Sequence, residues 1–193
     1  LISFLFCCAL ILTGCKEEGA TPSAPVSSSV SGTVQPAARP KLAWSGTKYW
    51  SEQWDKTLDA EIAKYDWSKI IMPCPKFTKT DCVAVVMARM TEFESSFNPR
   101  EVFYEKTMGY NSVGLYQLSV SSEKSRCGIK TEEDLKNALT NISCGVLVMY
   151  RLASKDGTLV GGEKNKWLGG SRYWSVLRCP KTSCNAIMKS AGS

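Results

Sequence analysis

The cysteines constrain the fold of this chain more than any other feature of its sequence. Of the nine cysteines, three lie within the first fifteen residues. In an exported chain, an even number of remaining cysteines is typical of a disulfide framework. Six cysteines allow about 15 pairings, and the sequence does not choose among them. Because short loops close at the lowest entropic cost, we expect neighbours to pair, as Cys74–Cys82, Cys127–Cys144 and Cys179–Cys184. A zinc site is the alternative, but the C-x₂-C spacing and histidine are both missing.

The first fifteen residues, LISFLFCCALILTGC, indicate export. An uncharged apolar run ends at a small residue and a cysteine, and charged residues follow. This is the pattern of a secretory signal peptide, and the run is too short to remain as a membrane span. The ending LTGC resembles a bacterial lipobox, in which Cys15 is lipidated and becomes the first residue of the mature chain. With Lys16 next, the resemblance implies a lipoprotein on the periplasmic face of the outer membrane. The alternatives are a signal peptide cut elsewhere, which gives a secreted protein, or a buried strand.

The rest of the chain divides into a linker and one domain. Residues 16–40 are rich in Ser, Pro, Ala and Gly and show no apolar period, which is typical of a flexible tether. Residues 41–193 contain all six pairable cysteines and most of the aromatic residues. A segment of this length forms one domain with its own core.

Composition excludes several classes of chemistry. The chain contains no histidine, so a Ser-His-Asp triad, a Cys-His dyad and a histidine-ligated metal site are ruled out. We expect no metal and no cofactor. The net charge of +6 suits a polyanion such as nucleic acid, lipid head groups or the anionic bacterial wall. An ordinary basic surface is the alternative reading of this charge.

Apolar periodicity predicts a mainly α fold. Trp54, Leu58, Ile62 and Tyr65 form a helical stripe in residues 51–65. A second helix is expected from Thr80 or Asp81 to about residue 96, and a third from a Thr-x-x-Asp cap at residue 131 to Gly157. Residues 171–179 are expected to form a last short helix. Alternating strand patterns are scarce.

The second predicted helix places a carboxylate on its apolar face. At about 100° per residue, Glu94 lies within roughly 40° of Val83, Met87 and Met90. Glu92 instead lies on the solvated face, where Arg89 at i−3 can pair with it. Burial disfavours the charged form of a carboxyl and raises its pKa, which is how a general acid for glycosidic cleavage is made. The alternative is a glutamate at the helix end that leans into water, since Asn98-Pro99 stops the helix.

Three segments in order resemble the soluble lytic transglycosylase family and its goose-type lysozyme relatives. They are ESSFNP (94–99), SVGLYQ (112–117) and NISCG (141–145). The corresponding family patterns are Glu-Ser-x-Phe-x-Pro, Ser-x-Gly-Leu-Met-Gln and Asn-Ile-x-x-Gly, so Tyr116 stands in place of the usual Met. The order and spacing agree across about half of the globular part.

The resemblance implies a lysozyme-like domain that cuts the β-1,4 bond between N-acetylmuramic acid and N-acetylglucosamine in peptidoglycan, with Glu94 as the catalytic acid. The expected partners are the glycan strands of the cell wall, bound by a monomer that contacts the membrane only through its lipid anchor and binds no nucleic acid. The expected substrate-binding residues are Ser95, Ser112, Gly114, Tyr116, Gln117, Trp167 and Tyr173. For Gly114, Tyr116 and Gln117, the ordinary alternatives are a turn glycine, a core aromatic and a surface amide.

The sequence departs from the family pattern in two places. The family has a late Tyr-Asn-x-Gly whose tyrosine faces the catalytic glutamate, but Trp167 occupies that tyrosine's position and cannot donate a phenolic proton. Tyr173, from the adjacent turn, is the alternative donor. The insert at residues 100–111 is long and contains Glu105, a candidate second carboxylate able to position a water molecule. These departures leave two rival functions open: a glycan-binding lipoprotein without activity, and a disulfide-rich lipoprotein that acts on another protein.

Overall fold

The computed structural model describes residues 37–192 of the chain. Within that range lie six α-helices and two antiparallel two-stranded sheets. The helices are α1 (Glu52–Ile62), α2 (Lys79–Ser95), α3 (Val120–Cys127), α4 (Glu132–Lys136), α5 (Ala138–Asp156) and α6 (Thr182–Ser190). The sheets pair β1 (Val102–Glu105) with β2 (Tyr110–Val113), and β3 (Val160–Glu163) with β4 (Lys166–Gly169). The fold is therefore mixed, with helices as its main elements and two small sheets that the sequence patterns do not predict.

The N-terminal predictions concern residues that the structure does not describe. The predicted signal peptide, the predicted lipidation site Cys15 and most of the predicted linker at 16–40 fall outside residues 37–192. Within the described range, the core begins at Leu42 and Trp44, both of which are buried. No helix between residues 37 and 192 combines the length and the apolar character needed to cross a membrane.

Helices α2 and α5 form the centre of the core. Helix α5 contacts α1, α3, α4 and β4, and buries Val146, Val148 and Met149. Helix α2 packs against α1 and α6 and is buried on nearly all sides between residues 82 and 91, with Arg89 as the exception. A helix that is apolar all round must be covered by its neighbours. These two buried helices carry the first and the third of the three motifs.

Helix α1 is confirmed with Trp54, Leu58 and Ile62 on its buried face, but it ends at Ile62, so the predicted extension to Tyr65 is wrong. The predicted start of α2 is also wrong. The N-cap is Thr78, whose hydroxyl accepts a hydrogen bond from the backbone N–H of Asp81 at 3.1 Å. The sequence TKTD offers two threonines as caps. The structure uses Thr78, which lies three residues before Asp81, and this is the spacing of a capping interaction.

The single helix predicted after residue 131 is two helices. Asn137 leaves the helical conformation with ψ 116°, and its side-chain oxygen accepts hydrogen bonds from the backbone N–H groups of Leu139 and Thr140, both at 3.1 Å. An asparagine that caps the following helix in this way competes with continuation of the preceding one. The expected capping box at Thr131 and the left-handed C-cap at Gly157 are both present.

The short helix predicted at 171–179 is also wrong in detail. The chain forms two 3₁₀ turns, Gly170–Arg172 and Ser175–Leu177, separated by Trp174 in an extended conformation. Trp174 is buried, and its indole N–H donates to the backbone oxygen of Tyr116 at 2.9 Å. Placing this large ring in the core interrupts what would otherwise be a continuous helical turn.

The structure contains the three predicted disulfides. Cys74–Cys82 joins the loop before α2 to that helix, Cys127–Cys144 joins α3 to α5, and Cys179–Cys184 closes the turn that leads into α6. Their Cα–Cα distances of 5.5, 5.5 and 5.3 Å lie in the usual range for disulfides. The nearest-neighbour pairing is confirmed, and the six sulfurs are not available as zinc ligands.

Candidate active site

Glu94 lies on the last turn of α2, on the stripe that the helical phase predicts. Val83, Met87 and Met90 on this stripe are fully buried, and Glu94 itself is half-buried. The next residue but one, Ser96, has a left-handed backbone with φ 51° and ends the helix. The carboxyl group therefore lies where the C-terminal end of a buried helix meets a cleft.

Burial of this carboxyl raises its pKa from 4.5 to about 7. The negative charge of Glu105 raises the pKa as well, whereas the positive charge of Lys181 opposes the shift. Desolvation is the largest cause, because a carboxylate that has lost its water is disfavoured relative to the neutral acid. Near neutral pH, a large fraction of Glu94 carboxyl groups therefore keep a proton that can be donated.

Glu105 is the last residue of β1, in the hairpin formed by the long insert. Its backbone oxygen accepts hydrogen bonds from the N–H groups of Met108 at 2.9 Å and Gly109 at 2.8 Å, which closes the hairpin turn. Its carboxylate accepts a hydrogen bond from the Ser112 hydroxyl on the facing strand at 3.1 Å. The insert thus brings a second carboxylate, held by Ser112, to the cleft that contains Glu94.

The two glutamates line one cleft of about 470 Å³. This volume lies within the range of roughly 300–1,000 Å³ that is common for ligand sites. Four of the residues expected to join Glu94 at the site do line this cleft with it: Glu105, Ser112, Gln117 and Tyr173. Its remaining lining residues are Met108, Tyr110, Arg172, Trp174, Ser175 and Arg178.

Two residues that the family resemblance assigns to substrate binding are buried in the core instead. Tyr116 is fully buried, with its ring centroid 6.3 Å from that of Trp174. Gly145 leaves room for this ring, because a Cβ there would lie 2.4 Å from Tyr116 Cδ2. Ser95 is also buried, and its hydroxyl donates to the backbone oxygen of Leu115 at 3.1 Å. The substrate-binding prediction is wrong for Tyr116 and Ser95, because both side chains face the protein interior.

Gly114 makes a close approach to protein rather than to a sugar ring. Its φ is +79°, and a Cβ at this position would lie 2.3 Å from Asn141 Nδ2 and 2.4 Å from the backbone oxygen of Leu135. Asn141 donates from Nδ2 to the backbone oxygens of Val113 at 3.1 Å and Leu135 at 2.8 Å. Its Oδ1 accepts from the N–H of Tyr116 at 2.9 Å. The predicted role of Gly114 in binding sugar is wrong. Through these hydrogen bonds, the second and third motifs instead hold one wall of the cleft against α5.

Gln117 presents a polar group to the cleft, and Tyr173 lines it. The Gln117 backbone is left-handed with φ 47°, and its Nε2 donates to the backbone oxygen of Gly114 at 3.0 Å. Within residues 37–192 its Oε1 has no hydrogen-bond donor, so it remains an acceptor for a ligand. Burial raises the pKa of the Tyr173 phenol above its ordinary value, which keeps that hydroxyl neutral and able to donate.

Trp167 does not line the cleft, so its predicted role in substrate binding is wrong, whereas the arginine that lies over its ring does line the cleft. Trp167 is half-buried on β4, with the guanidinium carbon of Arg178 5.8 Å from its ring centroid. Arg178 lines the cleft and donates from Nε to the backbone oxygen of Ser171 at 2.9 Å. Arg172 lines it too, paired with Asp156 at 2.8 Å. Sequence reasoning missed both arginines, since nothing distinguishes them locally from the other basic residues of a basic chain.

Comparison with models of protein families finds no match to this chain, and a search among functionally characterised proteins finds none either. Among solved structures, the chain is similar to DslA (Bd0314). A glutamate-to-glutamine mutant of DslA matches with a TM-score of 0.72 and 28% sequence identity, over 81% of this chain and 97% of that one. The wild-type protein in a second form matches with a TM-score of 0.68 at the same identity and coverage.

The substituted glutamates of DslA have the same sequence separation as the two glutamates of the cleft. Two of the matching structures each carry one glutamate-to-glutamine substitution, at positions 143 and 154 of that protein. Those positions are 11 residues apart, which is also the separation of Glu94 and Glu105 in this chain. In a structure of similar fold, two glutamates at this spacing have therefore been singled out for substitution.

Proposed function

We propose that this chain is a lysozyme-like glycosidase, a muramidase or lytic transglycosylase, that cuts the β-1,4 bond between N-acetylmuramic acid and N-acetylglucosamine. The observation that carries the proposal is the half-buried Glu94 carboxyl, with a pKa of about 7, in a cleft shared with Glu105. The three motifs in family order support it, and so does the likeness to DslA with its pair of substituted glutamates.

In the first step, Glu94 donates its proton to the glycosidic oxygen as the bond from that oxygen to the anomeric carbon breaks. The carbonyl oxygen of the sugar's own 2-acetamido group attacks the anomeric carbon and takes up the positive charge. General acid catalysis of this kind contributes roughly 10²–10⁴ in rate. Glu105, held by Ser112, places negative charge in the cleft while the sugar is positive.

In the second step, the Glu94 carboxylate acts as the base. It takes a proton from a nucleophile whose oxygen attacks the anomeric carbon and displaces the acetamido oxygen. Attack by water gives a reducing end, and attack by the muramic 6-hydroxyl gives a 1,6-anhydro sugar. One carboxyl group serves both steps, with no cofactor in the reaction. The substrate is the glycan strand of peptidoglycan, and the enzyme acts as a monomer tethered by its lipid to the periplasmic face of the outer membrane.

Mass spectrometry of fragments from purified peptidoglycan tests this proposal. We expect soluble disaccharide-peptides cut at the muramic acid C1, with either reducing or 1,6-anhydro ends. Intact strands after prolonged incubation, together with tight retention on the same material, would instead support the glycan-binding lipoprotein. Cleavage of peptide bonds or of the amide link would contradict a glycosidase.

The pH dependence of cleavage is expected to report the charge of Glu105. Because Glu94 must be protonated to act, activity should fall as pH rises through its pKa of about 7. Since Glu105 raises that pKa, Glu105→Gln should lower it and move the alkaline limb of the kcat/KM profile to lower pH. Glu101→Gln is the matched control, because this exposed residue lies four positions away and makes the same change in charge. An alkaline limb that does not move in Glu105→Gln would contradict this electrostatic coupling.

A further inference from the structure

A second pocket, here called the basic pocket, lies next to the cleft. It has a volume of about 380 Å³ and lies between α3, α5 and the first 3₁₀ turn. Arg172 and Tyr173 line both the basic pocket and the cleft, so the two sites are adjacent. The other lining residues are Arg126, Val148, Arg151, Leu152 and Lys155.

Two of the four cations in the basic pocket are neutralised by partners within the chain. Arg126 pairs with the buried Glu123 at 3.3 Å. Arg172 pairs with Asp156, and this interaction holds the pKa of the aspartate below its usual value. These two arginines complete structural ion pairs, and their positive charge is largely balanced.

The other two cations make no direct ion pair within the described residues, although the charge of Arg151 acts to lower the pKa of Glu123 and that of Lys155 acts to lower the pKa of Asp156. Arg151 and Lys155 are exposed on α5, and neither makes an ion pair or a side-chain hydrogen bond within residues 37–192. They are four positions apart on one helical face, where like charges destabilise a helix by roughly 0.2–0.5 kcal/mol. The helix C-terminus stabilises a cation in its last turn, which accounts for Lys155 but not for Arg151, one turn earlier.

The apolar part of the basic pocket restricts what would suit it. The half-buried Leu152 lies on the same face of α5 as Arg151 and Lys155, with the buried Val148 next to it, so a small apolar surface adjoins these two cations. A small inorganic anion satisfies the cations but leaves that surface uncovered. A ligand that carries carboxylates on a short aliphatic framework satisfies both.

We propose that the basic pocket binds the carboxylates of the peptide stem that peptidoglycan carries on its muramic acid. This inference rests on the proposed function, because it takes the glycan in the cleft as the source of the ligand. The stem leaves the sugar beside the scissile bond, and Arg172 and Tyr173 line both sites. Arg151 and Lys155 bind the carboxylates, while the half-buried Leu152 contacts the aliphatic part.

Titration with a synthetic stem tripeptide that ends in free carboxylates tests this inference directly. Binding is followed by the NMR shifts of backbone amides in residues 148–156. We expect the wild-type chain to bind, and the Arg151→Gln/Lys155→Gln variant to bind about tenfold more weakly or worse, as loss of charge-assisted hydrogen bonds implies. The matched control, Lys48→Gln/Lys69→Gln, removes the same charge from exposed sites outside the pocket and should bind like wild type.

The outcomes separate this inference from the proposed function. No binding, or equal binding by the Arg151→Gln/Lys155→Gln variant, would overturn the pocket assignment even if the chain cleaves peptidoglycan. Equally strong binding of inorganic phosphate, or of the tripeptide amidated at its carboxyl groups, would overturn the assignment to stem carboxylates. Because the titration requires no cleavage, an inactive chain that still binds the tripeptide through Arg151 and Lys155 would refute the glycosidase and leave the pocket standing.

Discussion

Replacing Glu94 with glutamine is expected to lower the rate of glycan cleavage by about 10²–10⁴-fold, the usual contribution of a general acid. Glutamine keeps the size and polarity of the side chain but has no proton to give to the leaving oxygen. Because the lost interaction is made with the reacting atoms, kcat should fall while binding of intact peptidoglycan is retained. Release of soluble fragments from purified sacculi, measured beside a pull-down of the same material, reports both quantities.

Glu92→Gln is the matched control for this experiment. Glu92 lies two positions away on α2 and pairs with Arg89 at a partly exposed site outside the cleft. Such surface pairs contribute at most about 1 kcal/mol, so this variant should fold and cleave like wild type. A Glu94→Gln enzyme that dissolves sacculi at the wild-type rate would refute the assignment of the catalytic acid.

The same substitution is expected to make the folded state more stable at alkaline pH. The pKa of Glu94 rises from 4.5 to about 7 on folding, so between these values the unfolded chain loses a proton that the folded chain keeps. The unfolded state then binds fewer protons, and wild-type stability falls as pH rises through this window. A shift of this size corresponds to about 3 kcal/mol at pH 8, and Glu94→Gln removes that penalty.

Urea unfolding at about pH 4 and pH 8 measures this effect. At the lower pH, Glu94 is protonated in both states, and the two proteins should differ little in their free energy of unfolding. At the higher pH, the variant should be the more stable, and the control Glu92→Gln should not be. A stability difference between Glu94→Gln and wild type that is the same at both pH values would show that the pKa is not raised by folding.

Together, these two results would identify Glu94 as a group that serves catalysis although it destabilises the folded state. A buried carboxyl with a raised pKa destabilises the folded chain above pH 4.5. Substitutions that stabilise a protein while removing its activity are the expected result at such sites. If the glutamate had a purely structural role, removing its charge would destabilise the folded protein rather than stabilise it.

The sequence predicts the position of Glu94 well, because that position depends only on local periodicity. The stripe of Val83, Met87 and Met90 belongs to a single helix, and its phase follows from the helical repeat. The three disulfides were predictable for a similar reason, since each joins neighbours along the chain. The break at Asn137 was missed, because an asparagine can either continue a helix or cap the next one.

The neighbours of Glu94 could not be found in the same way. Tyr116 and Gly114 belong to a motif with an expected sugar-binding role, yet their surroundings are set by Asn141 and Gly145 on a distant helix. Arg178 lines the cleft from the end of a 3₁₀ turn, in a segment that the sequence pattern predicts to be an α-helix. Contacts between elements far apart in sequence decide whether a motif residue faces a ligand or the core. Local patterns carry no information about such contacts.

A direct measurement of the Glu94 pKa tests the central claim of this account. Side-chain ¹³C NMR, with glutamate labelled at its carboxyl carbon and Glu94→Gln used to assign the resonance, follows the ionisation of this one group. We expect a midpoint of about 7, and a lower one in Glu105→Gln. A midpoint near the ordinary value of 4.5 would show a solvated carboxylate, and would contradict the assignment of Glu94 as the proton donor.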